Sequence, residues 1–218
     1  MSDIFQEVDE EVRRDKALEF WTKYQNLILG VAVLIVLATA GYRFWDYSRT
    51  KAAQAAGAQF QSAIRLDAQN KPDEAAAALA KLKADAPRGY ATLSRFVEAS
   101  LALKKDSKGG IAAYDALAQD GAVDPLMRDA AKLRAALARV DAGETDAARA
   151  ALESLAAGPY RATAQLTLAS LALAAKNYAG AGKILTELSA DSDTPQSERR
   201  TAQTLLGLVA AQGAKPKS

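Results

Sequence analysis

An all-α chain is predicted, with one N-terminal transmembrane helix followed by a solenoid of helical hairpins and a C-terminal capping helix. Three observations carry this expectation. Residues 24–42 hold no charged side chain and are bracketed by Lys23 and Arg43. From Arg49 onward the chain is dense in alanine, with leucine at helical intervals and prolines between the runs. That second region also repeats itself. Composition agrees: 51 of 218 residues are alanine, the strongest helix former, against 13 glycines and 6 prolines.

The absences narrow function. The chain has no histidine and no cysteine. This excludes Ser-His-Asp and Cys-His catalysis, zinc sites built on those ligands, haem ligation through histidine, disulfides and a lipoprotein anchor. With 28 Lys+Arg against 26 Asp+Glu the net charge is +2, too balanced for a nucleic-acid-binding field.

Residues 1–23 form a short tail that is acidic first and basic next to the apolar stretch. Ile4, Phe5, Val8 and Val12 fall at helical intervals, suiting either a solvated helix leading into the span or a docking element. Residues 24–42 then rise about 29 Å as a helix, close to the ~30 Å of a bilayer core. Nine of the eleven residues from Leu27 to Leu37 are Leu, Ile or Val, favouring insertion by roughly 3–5 kcal/mol. Phe20, Trp21 and Tyr24 flank one side, and Tyr42, Phe44, Trp45 and Tyr47 the other, as interfacial aromatic belts do. Ala38-Thr39-Ala40 has the form of a signal-peptidase site, but the preceding region is long and carries seven acids, so a signal anchor is expected. Arg13, Arg14, Lys16 and Lys23 outnumber Arg43, Arg49 and Lys51 by one, which places the N-terminus in the cytoplasm. Gly30, Ala38 and Gly41 share one side of this helix and form a candidate helix-packing face.

The repeat region spans 49–212. Tyr90 and Tyr160 each precede an Ala-Ser-Leu-Ala-Leu run by nine residues, Ala99–Leu103 and Ala169–Leu173, and Leu126 stands in the same frame before Ala135. An alanine and a proline twelve residues later recur as Ala75/Pro87, Ala113/Pro125 and Ala147/Pro159, then Ala181 with Asp193 in the proline's place. The alanine steps are 38, 34 and 34, with the additional residues assigned to loops near Ser107–Gly110 and Pro87–Tyr90. A 34-residue helix–turn–helix period with small residues where helices cross and proline closing each unit is the tetratricopeptide pattern. Alanine at a crossing lets two helices approach closely. Turns are expected at Asn70-Lys-Pro72, Gly109-Gly110, Ala142–Asp146 and Lys176-Asn177, and N-caps at Asp124 and Thr194. Four hairpins then occupy about 49–193, a final helix runs from Pro195 to about Gln212, and residues 213–218 form a flexible tail. A plain helical bundle or a coiled coil is the alternative; the prolines interrupt every heptad run.

Little here carries chemistry. Ser48-Arg-Thr-Lys51 matches S-x-x-K but lacks the companion elements of Ser/Lys acyl-transfer enzymes. Gly182-Lys183-Ile184 lacks the rest of a phosphate loop. No carboxylate set has calcium-loop spacing. A binding surface remains. By repeat position, Phe96, Ser100, Lys132, Ala136, Arg139, Leu166, Ser170 and Leu173 line a candidate groove for polypeptide, apolar with a few cations.

The chain resembles the YfgM-like ancillary subunits of the bacterial SecYEG translocon over nearly its whole length. The likeness rests on the short acidic tail, Val12 through Phe20, the run from Gly30 to Val33, the Gly41–Trp45 exit and the alanine-rich repeat domain. It implies a single-span protein of the bacterial inner membrane with a periplasmic repeat domain. It also implies the translocon and a periplasmic chaperone of the PpiD type as partners, exported polypeptides as clients, and no catalytic residues. A non-enzymatic adaptor without cofactor or nucleotide is therefore expected. The alternatives are an envelope scaffold coordinating division or cell-wall assembly and, more remotely, a Ser/Lys hydrolase acting through Ser48.

Overall fold

A computed structural model describes residues 3–213, and every described element is helical. The tail Lys215-Pro-Lys-Ser218 lies outside the described residues, as do the side chains of Ile4, Phe5, Val8 and Val12. The helices are α1 (Asp3–Ala68), α2 (Pro72–Asp85), α3 (Arg88–Lys105), α4 (Ser107–Gln119), α5 (Pro125–Asp141), α6 (Thr145–Glu153), α7 (Arg161–Ala174), α8 (Tyr178–Ala190) and α9 (Gln196–Gly213). Two compact units result, Met1–Ala55 and Ala56–Ser218.

The first unit contains the apolar part of α1. It is long and apolar enough to cross a membrane and has none of its apolar window buried in protein. Its flanks show how the ends are set. Lys23 Nζ lies 5.6 Å from the Tyr24 ring, Arg49 lies 5.4 Å from the Trp45 ring, and Lys51 Nζ lies 5.2 Å from the Tyr47 ring. A cation over an aromatic face suits the boundary between apolar and aqueous phases.

The second unit is a stack of antiparallel pairs, α1 (from Ala56)–α2, α3–α4, α5–α6 and α7–α8, capped by α9. From α2 to α9 each helix packs on its neighbours in sequence, α7 also meets α9, and Ala63 of α1 packs with Ala75 and Leu79 of α2. Four apolar clusters follow one another along the stack. Ala63, Ala75, Leu79 and Leu101 form the first; Ala99, Tyr114, Leu117 and Ala131 anchor the second. Ala136, Leu152, Leu155 and Ala164 anchor the third, and Ala169, Leu185, Leu188 and Ala202 the fourth. The described residues form these successive clusters in place of one central core, so stability accumulates from hairpin to hairpin.

The register differs from the one read in sequence. Counting from the N-cap of each second helix, the small buried residue is Ala75, Gly110, Ala148 and Ala181. The large residue four positions on is Leu79, Tyr114, Leu152 and Leu185, and a leucine follows at Leu82, Leu117, Leu155 and Leu188. Ala113 and Ala147 are therefore not the crossing residues, and the steps are 35, 38 and 33. In the first helices Ser94, Ala131 and Ala164 are buried, and so are Ala99, Ala136 and Ala169 five residues later. This frame puts Met127 in the place of Tyr90 and Tyr160, and Leu126 is 49 % exposed instead.

Gly109-Gly110 is not a turn. Both glycines lie in the first turn of α4, and the chain reverses at Asp106, whose carboxylate accepts from Lys108 N (3.2 Å) and Gly109 N (2.7 Å). The other three turns do use left-handed residues: Asn70, Gly143 and Lys176 have φ of 62°, 78° and 58°. At each, the following N–H reaches back to the last helical turn (Lys71 N to Leu66 O, Glu144 N to Arg139 O, Asn177 N to Ala172 O), closing a Schellman-type end. Asp124 caps α5 as expected, accepting from Leu126 N at 2.9 Å. Thr194 does not cap α9; it is buried, and its hydroxyl donates to Asp191 Oδ2 at 2.9 Å.

Ser94 is the exception among the small positions of the first helices. It is fully buried, and its hydroxyl has no partner among the described residues. Alanine holds the equivalent sites in α5 and α7. Ser94→Ala is expected to stabilise the fold by about 1 kcal/mol, because a desolvated hydroxyl is removed without leaving a void. Thermal unfolding followed by circular dichroism should show a Tm higher by about 2–4 °C; an unchanged or lower Tm would mean that the hydroxyl is satisfied.

Candidate protein-binding surface

The residues singled out as a groove are divided among different packing environments. Phe96 packs into the second cluster, with its ring 5.9 Å from Tyr114 in an edge arrangement, and its carbonyl accepts from the Tyr114 hydroxyl at 3.3 Å. Ala136 is fully buried and belongs to the packing of α5, not to a surface. Arg139 makes a two-pronged ion pair with Asp115 of α4 (3.2 and 2.5 Å), so its charge joins two helices. Leu166 packs against the fourth cluster. Ser170 is exposed, with its hydroxyl donating back to Leu166 O at 2.9 Å; Lys132 and Leu173 are half-buried.

Ser100 alone of the set lines a described cavity. That hollow, about 240 Å³, lies between α3, α4 and α5 and is also bordered by Leu103, Tyr114, Arg134, Leu137 and Asp141. Its walls mix polar and apolar groups. Sequence reading missed Arg134 and Asp141, whose common side depends on the rotation of α5. A more apolar pocket lies between the starts of α3 and α5.

On the apolar part of α1, a Cβ at Gly30 or Gly41 would meet nothing within 4 Å. At the S-x-x-K match, the Lys51 ammonium faces the Tyr47 ring, and among the described residues no hydrogen bond joins it to Ser48. The described residues also hold no group of histidine, cysteine or carboxylate side chains able to bind a metal.

Two carboxylates fasten the junctions between hairpins. Asp120, at the end of α4, accepts from Ala122 N (2.9 Å) and from Arg95 (2.6 Å). These bonds, the backbone one foremost, hold its carboxyl below the usual range. Asp191 does the same at the end of α8, accepting from Arg161, from Asp193 N (3.0 Å) and from the Thr194 hydroxyl. Arg161 first, then Asp193 N and Thr194, bring its carboxyl from 3.8 down to about 2. A carboxyl lowered by folding adds stability that is complete above its unfolded value and lost as pH falls through the folded one. Melting temperature should therefore decline between about pH 4 and pH 2, and Asp191→Asn should flatten that acid limb. An unaltered limb in the variant would place the sensitivity elsewhere.

A family model described as a tetratricopeptide repeat-like domain matches residues 18–155. The chain belongs to this family. The match takes in the apolar stretch together with α2–α6, the first three hairpins of this tetratricopeptide repeat-like chain. Two crystal structures of a Podospora anserina protein named for the kinesin light chains, with nearly identical TPR-like repeats, share the architecture. One of the two carries a single substitution. Each superposes with a TM-score of 0.54 at 18 % identity over 73 % of this chain, and over 86 % and 87 % of theirs. At that identity the likeness is one of fold. No curated protein matches the sequence. Tetratricopeptide repeat-like solenoids are scaffolds for protein–protein interaction, and such a module is what this chain provides.

Proposed function

We propose that the chain is a membrane-anchored adaptor at the bacterial Sec translocon. In this reading it crosses the inner membrane once, with the N-terminus cytoplasmic and residues 49–212 periplasmic. It holds emerging polypeptide and a periplasmic chaperone of the PpiD type beside the channel. The observation that carries the reading is the span of the family match, which runs from one apolar, protein-free helix into the first three hairpins of the solenoid. An anchor of this kind confines a binding surface to one membrane face and raises its effective concentration for partners there. The resemblance to the YfgM-like subunits supports the choice of partner. Gly30, Ala38 and Gly41 then meet a helix of the channel complex, and Ser100 and its neighbours meet polypeptide.

Affinity capture of the full-length chain in mild detergent should recover the translocon and a periplasmic chaperone. Protease added to spheroplasts should digest the repeat domain and spare the tail. Capture that recovers neither partner, or digestion only after the inner membrane is permeabilised, overturns the reading.

A further inference from the structure

At one position of the repeat two units carry a tyrosine and a third carries a methionine. Four residues before the small position of each first helix stands a residue that packs back onto the preceding first helix. In α3 it is Tyr90, whose ring lies 6.1 Å from that of Phe60; a Cβ on Gly57 would come within 2.7 Å of its hydroxyl. At the N-cap of α7 it is Tyr160, packed in the cluster that holds Leu133 of α5. In α5 the place belongs to Met127, set against the cluster that holds Phe96. Beside Met127 lies a pocket of about 360 Å³. Leu93, which has in α3 the place of Gly57 in α1, forms one wall and is 38 % exposed. Met127, Gly89, Thr92 and Ala122 complete it.

The size fits an aromatic ring with room for its attachment, since a cavity of about 150 Å³ already admits benzene. The mouth carries Arg88 and Asp124. Asp124 is engaged as the cap of α5, and Arg88 stands at the positive end of α3, whose capping residue Pro87 supplies no side-chain bond. Asp124 keeps its negative charge as a cap, but among the described residues no ion pair occupies Arg88, whose guanidinium is the group an incoming carboxylate would meet. We propose that this pocket receives an aromatic side chain of an extended polypeptide with an acidic residue beside it, next to the position that tyrosine holds in the neighbouring repeats. The inference rests on the interaction-module reading and gives it a defined subsite.

The test uses the full-length protein in mild detergent and a blocked, fluorescein-labelled peptide, Gly-Gly-Phe-Asp-Gly-Gly, followed by anisotropy. Binding should be about tenfold tighter than for the peptide with alanine in place of phenylalanine. Met127→Tyr, which restores the repeat's own ring, should abolish that preference, and so should Leu93→Arg at its exposed site, where folding is not at stake. Arg88→Gln should weaken only the advantage of aspartate over asparagine. Equal binding of the phenylalanine and alanine peptides, or wild-type binding by both Met127→Tyr and Leu93→Arg, overturns the proposal. Self-association that Met127→Tyr abolishes, without peptide binding, overturns it in favour of a second copy. Translocon capture is read in parallel: recovery of the channel without a peptide preference refutes the pocket alone, while a preference without recovery refutes only the assignment to the channel.

Discussion

Gly110→Ala is expected to destabilise the repeat domain by about 2–4 kcal/mol, although alanine is the better helix former by about 1 kcal/mol. The reason is distance. An ideal Cβ at Gly110 overlaps Leu103 Cγ and lies 2.6 Å from Leu103 Cα. A side-chain tip could swing away; a backbone carbon cannot move unless α3 and α4 part. Parting them loosens Tyr114 and Leu117 from Ala99 in the same cluster. Unfolding of the purified protein should show Tm lower by about 5–15 °C, and Gly110→Val should prevent compact folding of this hairpin. Gly207→Ala is the matched control. It sits inside α9 with nothing within 4 Å of the added carbon, so only the propensity gain remains and Tm should rise slightly. If both substitutions shift Tm upward, close approach is not what holds glycine at residue 110.

The same glycine shows where sequence reading stops. Glycine is read from sequence as backbone freedom, which makes Gly109-Gly110 a turn; in the fold the decisive property of Gly110 is the missing side chain. Gly143 follows the ordinary rule, with φ at 78°. The helices, the hairpin order and the prolines between units were legible because leucine periodicity and missing amide donors act locally. The crossing residues were less so. In an alanine-rich helix, Ala147 and Ala148 are alike in composition, and only the spacing to Leu152 and Leu155 decides which one is buried. Leu126 and Met127 differ by one position in the same way, and that position separates an exposed leucine from the wall of a pocket. The candidate groove was least legible. Arg139 reads as a free cation in sequence, yet Asp115 lies 24 residues away on a different helix and takes its charge. Such pairings depend on the rotation of two packed helices, which no local pattern records.

Two aspartates at the centre of the apolar helix, Val31→Asp with Leu34→Asp, should release the chain from the membrane. Each substitution sets about 2.5–3.5 kcal/mol against insertion and gives up roughly 0.3–0.6 kcal/mol of favourable transfer. The favourable sum over Leu27 to Leu37 is about 3–5 kcal/mol, so one aspartate brings insertion near balance and two reverse it. Alkaline carbonate extraction should leave the wild-type chain in the membrane pellet, divide the Leu34→Asp chain between pellet and supernatant, and move the double variant largely to the supernatant. Position should matter as much as number. Tyr42→Asp lies at the aromatic flank beside Trp45, whose ring is 6.3 Å from that of Tyr42. A carboxylate there reaches water, and its cost should be small. This depth profile separates a bilayer span from the core helix of a soluble domain. In a packed core, cost follows contact with neighbouring helices, and it need not decline toward the ends of the apolar run. A double variant that stays with the membrane, or a profile flat from Val31 to Tyr42, would mean that something other than lipid surrounds this helix.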